Sequence, residues 1–155
     1  MCKLKIRAGL QEDIMELQEL FTNTIMTTCA PDYNMEQRTV WSSSIENKDR
    51  WDAISKQFIV VGELNGIIVG FASSDKDYFD TLFVHKNYQR MGIAKKLYDV
   101  VAKNIKESGY KILTVHASKT ARPFFEAMEC TLVREQNLSI KGVMITNYIM
   151  EKHLS

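Results

Sequence analysis

The chain has 155 residues, 45% of them hydrophobic and 25% charged, which suits one domain with its own core and leaves too little for two. Lysine and arginine (20) nearly balance aspartate and glutamate (19), and the net charge of +1 argues against nucleic acid or an anionic membrane as a partner. No apolar run approaches the length that spans a bilayer. These features predict a single domain over residues 1–155.

The cysteines and histidines argue against a metal site. Cys2, Cys29 and Cys130 are odd in number and show no C-x-x-C spacing, which is typical of reduced thiols in a cytoplasm and excludes a four-thiolate zinc site. The three histidines do not form a spaced metal motif. The N-terminus alternates charged and apolar residues and lacks the apolar core of a signal peptide. We therefore expect a cytoplasmic protein with no bound metal.

The first third of the chain is predicted to be mainly helical. Alternating residues predict a first strand over Lys3–Ala8, and apolar residues at helical spacing predict a helix from Glu12 to Cys29. Pro31 ends that helix, because proline cannot continue it. The pattern predicts a second helix over Met35–Ile45 and a short helical turn around Trp51.

The rest of the chain alternates between strands and helices. Phe58–Leu64 and Ile67–Ala72 flank Asn65-Gly66, which is the commonest two-residue hairpin turn. Thr120 is the predicted N-cap of a short helix, because that choice puts Pro123 in the first turn. The other predicted elements are, in order, a strand at Tyr78–His85, a helix at Arg90–Lys106 closed by Gly109, a strand at Ile112–Ala117, that short helix at Ala121–Met128, and a hairpin of Leu132–Ile140 and Val143–Met150.

This order of elements predicts an α/β fold of the α+β type. The strand–helix–strand unit from Tyr78 to Ala117 should be parallel and right-handed, whereas the hairpins are antiparallel. We therefore expect a mixed, mostly antiparallel central sheet of about six to seven strands with helices on both faces.

The turn Gln89-Arg90-Met91-Gly92-Ile93-Ala94 joins a predicted strand to the start of a long helix. A helix N-terminus has unpaired backbone N–H groups and partial positive charge. Gly92 and Ala94 keep side chains out of the way, and cationic residues surround the turn at Arg90, Lys95 and Lys96. The turn is therefore chemically suited to bind phosphates. It is not a Walker motif, because no G-K-[ST] follows.

Two linked blocks of sequence carry a family resemblance. The block "LFVHKNYQRMGIAKKLYD" resembles the strand, Q/R-x-x-G-x-G/A turn and helix of the GNAT superfamily of acetyl-CoA-dependent N-acyltransferases. The block "LTVHASKTARPFFEAMECTLVREQ" is similar to the second conserved block of that family. The order of elements fits as well, so the resemblance covers nearly the whole chain. It implies transfer of an acetyl group from acetyl-CoA to an amine.

The resemblance also implies where the coenzyme binds. Its pyrophosphate should lie on the turn made by Gln89, Arg90, Met91, Gly92, Ile93, Ala94 and Lys95. Its pantetheine arm should pair like an added strand with the backbone of Leu82, Phe83 and Val84. Ser118 and Phe124 should lie near the thiol end.

The sequence departs from the family pattern at three places. Ala94 replaces the second glycine of the turn, which is a mild change. Glu129 and Cys130 stand where the family usually has Gly-Phe. Phe125 occupies the position where many members have a tyrosine that is thought to protonate the leaving thiolate.

The chemistry of acetyl transfer suggests which residues move protons. An alkyl amine has a pKa of about 10.4, so roughly one molecule in 2,500 is the neutral nucleophile at pH 7. A general base is therefore expected, and Asp80, a carboxylate within an otherwise apolar strand, is the candidate. Tyr78 is the candidate donor to the thiolate, and His116 the candidate proton relay. Simple alternation predicts that Tyr78, Asp80, Leu82 and Val84 share one face of their strand.

The sequence leaves alternatives for the acceptor, for the function and for the oligomeric state. Tyr33 and Trp41 are predicted to line a pocket for the amine, which is a small molecule or a peptide. A non-catalytic acyl-CoA-binding sensor on the same fold is the alternative, favoured by Phe125. A nucleotide-binding module is weaker, because Lys95 and Lys96 stand where a magnesium-binding hydroxyl is needed. The chain is expected to be a monomer or a homodimer.

Overall fold

A seven-stranded sheet forms the centre of the protein. The computed structural model describes residues 3–155, and Cys2, one of the three predicted thiols, lies outside them. The strands are β1 (Lys5–Ala8), β2 (Phe58–Leu64), β3 (Ile67–Asp75), β4 (Tyr78–Val84), β5 (Ile112–Ser118), β6 (Thr131–Ile140) and β7 (Val143–His153). Their order in the sheet is β1-β2-β3-β4-β5-β7-β6. All neighbours are antiparallel except β4 and β5, which are parallel, so the predicted mixed sheet is confirmed.

Five α-helices accompany the sheet within residues 3–155. They are α1 (Ile14–Thr27), α2 (Met35–Ser42), α3 (Lys48–Ser55), α4 (Ile93–Glu107) and α5 (Arg122–Ala127). Short 3-10 turns stand before α1, after α2 and before the turn that leads to α4, at residues 11–13, 43–46 and 86–88. No helix within residues 3–155 has the length and apolar character needed to cross a lipid bilayer.

Alternation along β2 builds a separate apolar core on each face of the sheet. Val60 and Leu64 join the cluster under α4 and α5, whereas Ile59 and Val61 join the cluster under α1 and α3. This division follows from the two-residue period of a strand. The helices therefore cover both faces, as predicted.

The two predicted tight hairpin turns have the backbone geometry that their sequences require. Asn65 and Gly66 have φ angles of 52° and 78°, and Lys141 and Gly142 have φ angles of 49° and 80°. Positive φ at both central residues is the geometry that matches the twist of antiparallel strands. The Asn65-Gly66 hairpin is therefore confirmed, as is the closing hairpin of β6 and β7.

The cap of α5 differs from the prediction. Thr120 does not cap the helix, because its Oγ1 donates to Asp32 Oδ2 at 2.8 Å. Ser118 Oγ instead accepts from the Ala121 amide at 3.0 Å. Pro123 does lie in the first turn, as predicted. A tertiary contact with the loop after α1 has redirected the threonine, and local sequence carries no sign of that contact.

The parallel strands β4 and β5 pair over a short stretch and then separate. Their register contains only Tyr78 opposite Thr114 and Phe79 opposite Val115. Beyond Phe79 the two strands do not pair, so the sheet is open between their C-terminal halves. The fold therefore places a gap inside the sheet at the point where the sequence predicts a ligand.

A β-bulge at Asp80 breaks the alternation of β4. Ser74 lies opposite Phe79 and Ser73 lies opposite Thr81, so Asp80 is the extra residue. The prediction that Leu82 and Val84 share a face with Asp80 is wrong. Both pack into the α4 core, whereas Asp80 contacts α3 on the opposite face. A bulge shifts the side-chain pattern by one residue and re-aims the residue that it carries.

Candidate active site

A cavity of about 560 Å³ occupies the gap between β4 and β5. Because α1 and α4 cover opposite faces of the sheet and both border the cavity, it runs through the sheet from one face to the other. It brings together almost all the predicted site residues: Tyr33, Trp41, Tyr78, Asp80, Leu82, Phe83, Val84, Gln89, Arg90, Gly92, Ile93, Ala94, Lys95, His116, Ser118 and Phe124. Met91 is the exception, and its side chain is exposed.

The turn before α4 presents free backbone amides to this cavity. Gly92 has a φ of 78°, and its carbonyl accepts the first helical hydrogen bond, from the Lys96 amide at 3.2 Å. The amides of residues 92–95 donate to no other group in the described part of the chain. A Cβ on Gly92 would meet no atom within 4 Å, so the space in front of the turn is open. The arrangement is a helix N-terminus that is ready to accept an anion.

Charge around the turn is positive but partly compensated. Arg90, Lys95 and Lys96 are all exposed. Lys95 Nζ lies 2.8 Å from Asp99 Oδ2, whereas Arg90 and Lys96 have no acidic partner within residues 3–155. An exposed pair of this kind adds little stability and leaves the lysine available to a stronger anion.

The edge of β4 that faces the gap has unpaired main-chain groups. The His85 amide donates to Val69 O at 2.8 Å across the β3 pairing. Antiparallel alternation then turns the main-chain groups of Leu82 and Val84 away from β3 and toward the gap. Gln89 Nε2 already donates to Val84 O at 2.6 Å. The remaining groups can pair with an extended ligand as a further strand would.

Asp80 is buried and fully engaged. Its side chain is 2% exposed, and Arg50 donates to it twice, from Nη1 to Oδ2 at 2.6 Å and from Nη2 to Oδ1 at 2.7 Å. Gln57 Nε2 donates to Oδ2 at 2.7 Å. Sequence reasoning missed both Arg50 and Gln57. The one available signal was indirect, because a carboxylate buried in a strand requires partners.

Tyr78 and His116 face each other from β4 and β5, with ring centroids 5.0 Å apart. Burial and the charge of Asp80 raise the pKa of Tyr78 to about 12, so its hydroxyl keeps its proton at neutral pH. Desolvation at the cavity, followed by the charge of Arg134, lowers the pKa of His116, and Asp80 opposes this shift. Tyr78 can therefore donate a proton and neutral His116 can accept one.

The segment from Ser118 to Phe125 closes the cavity on the side of β5. The Ser118 hydroxyl is used by the Ala121 amide, as described above. Phe124 is half-buried, with its ring 5.4 Å from that of Phe125. Phe125 is buried and packs against Phe79, so this position supplies only an apolar ring and no hydroxyl.

Tyr33 and Trp41 lie together on the side of α1 and α2, with ring centroids 5.3 Å apart. The Tyr33 hydroxyl donates to Thr146 O at 2.7 Å and accepts from the Lys119 amide at 2.9 Å. Burial raises the pKa of Tyr33 to about 12. Tyr33 thus ties the loop after β5 to β7, and its ring, with that of Trp41, forms part of the cavity wall.

Comparison with known proteins places the chain among acetyltransferases. The family model described as "Acetyltransferase (GNAT) domain" matches residues 29–152. The uncharacterised N-acetyltransferase YafP of Escherichia coli K12 is 32% identical over 151 residues, which cover 97% of this chain and 96% of that protein. A crystal structure of a GCN5-related N-acetyltransferase from Rhodopseudomonas palustris has a TM-score of 0.92 and 32% identity, covering 97% of this chain and 95% of that one.

A more distant structure shares the fold. The PaiA N-acetyltransferase of Thermoplasma acidophilum, solved in complex with coenzyme A, has a TM-score of 0.69 and 18% identity. The match covers 98% of this chain and 99% of that one.

Proposed function

Because the chain belongs to the GNAT acetyltransferase family, we propose that it transfers an acetyl group from acetyl-CoA to a primary amine of a small molecule or peptide by direct attack. Membership in this family makes the protein an acyltransferase. The proposal rests on one observation above all. The free amides of residues 92–95 stand at a cavity that passes through the sheet between β4 and β5.

The residues around the gap fit the parts of coenzyme A. We infer that the pyrophosphate binds the amides of the turn from Gln89 to Lys95, with the side chains of Arg90 and Lys96 balancing its charge. The pantetheine arm would pair with the free edge of β4 at Leu82, Phe83 and Val84. Ser118 and Phe124 would border its thiol end. PaiA shares this fold and binds coenzyme A, which supports the assignment.

Acetyl-CoA supplies the acetyl group as a thioester. The lone pair of the amine nitrogen forms a bond to the acetyl carbon, the carbon–sulfur bond breaks, and its electron pair leaves with the sulfur. An alkylammonium loses two protons overall: the first creates the neutral nucleophile, which costs about 4.6 kcal/mol at pH 7, and the second leaves as the amide forms. One of these protons ends on the sulfur of coenzyme A, and the other is released to water. The products are an N-acetyl amide and coenzyme A.

Two residues of the cavity are proposed to move protons, and a third to stabilise the charge that forms. Asp80, predicted as the base, accepts three hydrogen bonds, so both of its oxygens already have donors. We therefore propose that His116 takes the proton and that the charge of Asp80 stabilises the cation formed. The Tyr78 hydroxyl would donate to the leaving thiolate in place of the tyrosine that Phe125 replaces.

An acceptor screen tests the proposal. Purified protein is mixed with acetyl-CoA and a panel of primary amines, and release of free thiol is followed. Turnover that depends on the amine supports the proposed transfer. Saturable binding of coenzyme A without turnover on any amine would instead support the acyl-CoA sensor, which the missing hydroxyl at Phe125 favours.

A further inference from the structure

The β6–β7 hairpin continues after β5 has ended, which leaves one edge of β7 without a neighbouring strand. The last pair of β5 and β7 is Ser118 with Asn147, whereas β6 stays paired with β7 as far as Val143. Among the described residues, positions 143–146 therefore have β6 on one side and no strand on the other. Ile145 lines the cavity, so this edge lies beside it. A bare edge of this kind is where an extended peptide could add as a further strand.

The hydroxyl of Tyr33 occupies the first open position of that edge. The antiparallel register would next place Lys119 opposite Thr146. The hydroxyl lies between these two residues, because it accepts from the Lys119 amide at 2.9 Å and donates to Thr146 O at 2.7 Å. Neighbouring strands lie about 4.7–4.9 Å apart, so a side chain at hydrogen-bond distance fills the place of an added strand.

The side chain of Gln37 occupies the next position along the edge. Its Nε2 donates to Met144 O at 3.0 Å, and its Oε1 accepts from the Asn34 amide at 2.9 Å. The Asn34 side chain accepts in turn from the Gln37 amide at 2.8 Å, so the N-terminal cap of α2 holds Gln37 in place. Met144 and Thr146 are two residues apart, so alternation points both carbonyls to this side, and side chains use both.

Two more contacts fasten the segment that carries these side chains, which we call the α2 bridge (residues 29–43). Lys141 Nζ, at the hairpin turn, donates to Ser43 Oγ at 3.0 Å. Thr120 Oγ1 donates to Asp32 Oδ2 at 2.8 Å. A small apolar cluster fills the space between the bridge and the hairpin, and its members are Cys29, Tyr33, Val40, Trp41, Ile140 and Ile145. The bridge is therefore packed and hydrogen-bonded onto the edge that it covers.

The cavity wall beside the bridge is apolar. Its lining residues are Phe21 of α1, Trp41 of the bridge, and Leu138, Ile140 and Ile145 of the hairpin. Each peptide unit of a polypeptide carries a donor and an acceptor, and their burial without partners costs free energy. A compact amine brings one polar group to the reaction, and the rest of its body can cover apolar surface. The wall therefore suits a small ligand better than a main chain.

We propose that the acetyl acceptor is a small-molecule amine, and not the N-terminus or a lysine side chain of a polypeptide. This inference rests on the proposed function, because it assigns the acceptor class of the same reaction. The α2 bridge excludes a polypeptide, since Tyr33 and Gln37 occupy the edge on which the main chain beside the reacting amine would pair.

Matched pairs of amines test the acceptor class. One pair is alaninamide and a hexapeptide amide that begins with alanine. The other is the methylamide of N-acetyl-lysine and an N-acetylated hexapeptide with one central lysine, and 2-phenylethylamine and n-butylamine complete the panel. We expect the best small amine to exceed both hexapeptides in kcat/KM by at least about tenfold, which is the effect of burying one peptide group without a partner. A hexapeptide within tenfold or so of the best small amine would overturn the proposal.

Gln37→Glu loosens the bridge and keeps its cap. The glutamate still offers an oxygen to the Asn34 amide, but it has no proton to donate to Met144 O. We expect acetylation of the hexapeptides, followed by mass spectrometry, to rise by about two- to tenfold, which is the effect of one net hydrogen bond.

Gln18→Glu is the matched control. It makes the same change of charge at a half-buried glutamine of α1 that is not among the described residues lining the cavity. Equal hexapeptide rates in Gln37→Glu and Gln18→Glu, including rates too low to detect in both, would overturn the bridge as the barrier.

The two proposals fail in different ways. Efficient turnover of a hexapeptide keeps the acetyltransferase and overturns the small-molecule acceptor. If no amine is acetylated, the proposed transfer fails, and hydrogen exchange of the coenzyme A complex is measured with and without an excess of each hexapeptide. Slower exchange of the Met144 and Thr146 amides would show a peptide on this edge and overturn the inference. Unchanged exchange of both amides supports a covered edge.

Discussion

Asp80 shows how one residue can combine a backbone irregularity with a buried charge. The bulge turns its carboxylate away from the α4 core and toward Arg50 and Gln57. Both of these partners are far from Asp80 in sequence. A strand pattern predicts alternation, and it contains no information on where an extra residue will be inserted or on which distant donor will meet it.

Substitution of Asp80 separates a role in proton transfer from a purely structural one. Asp80→Asn keeps the shape and removes the negative charge that favours protonated His116. We expect turnover on an alkyl amine to fall by about 100-fold at pH 7, the lower end of the contribution of general base catalysis, because His116 would then hold the proton less well. The loss should shrink near the pKa of the amine, about 10.4, where the nucleophile is already neutral. The measurement is a pH profile of kcat/KM for the wild type and the variant. An equal loss of activity from pH 7 to the pKa of the amine would contradict a role of Asp80 in proton transfer.

Tyr33 links burial to pH-dependent stability. Its pKa is raised to about 12, whereas an unfolded tyrosine titrates near 10. Between these values the unfolded chain loses the proton first, so the free energy of unfolding falls as the pH rises. The neutral hydroxyl is also needed as a donor to Thr146 O.

We therefore expect Tyr33→Phe to be less stable than the wild type at pH 8, by about 1–3 kcal/mol, because two partly buried main-chain groups lose their partner. The difference in the free energy of unfolding should narrow toward pH 11. At that pH the wild type loses stability because Tyr33 of its unfolded chain is deprotonated, whereas the variant has no titrating group at this position. Urea unfolding at both pH values measures the difference. A constant difference would show that Tyr33 does not titrate in this range.

At the scale of elements, the turn before α4 is the part of the site that sequence predicts best. A glycine with positive φ, a small residue after it and a helix start are all local features, and the structure contains each of them. Coenzyme contacts assigned to this turn stay predictions, as do those assigned to β4.

Gly92→Glu tests the turn, and Gly66→Glu is its matched control. Both glycines have a φ of 78° and open space at the Cβ position, so both variants carry the same backbone strain and the same added charge. Only Gly92 faces the cavity. We expect Gly92→Glu to weaken coenzyme A binding by about 100-fold, or about 2.7 kcal/mol, and Gly66→Glu to change it less than twofold or so. Calorimetry with coenzyme A measures both, and equal affinities would exclude the turn as the phosphate site.

For the whole molecule, the order of strands and helices was predictable because most connections are short and local. The mixed sheet, the two covered faces and the resemblance to the GNAT family are all confirmed. Thr120 shows the limit of reasoning from local sequence. Its hydroxyl donates to Asp32, which is distant in sequence, and does not cap α5 as predicted. The acceptor remains a proposal for the same reason: its pocket is assembled from α1, α2, β4 and the β6–β7 hairpin, which no short motif describes.

The separation of β4 from β5 has a kinetic consequence. Because the opening passes through the sheet, the proposed sites would let coenzyme enter from the face of α4 and amine from the face of α1, so neither would have to leave before the other arrives. We expect initial rates measured at several fixed amine concentrations to give double-reciprocal lines that intersect. Parallel lines would mean that the acetyl group is first transferred to the protein and that coenzyme A leaves before the amine binds.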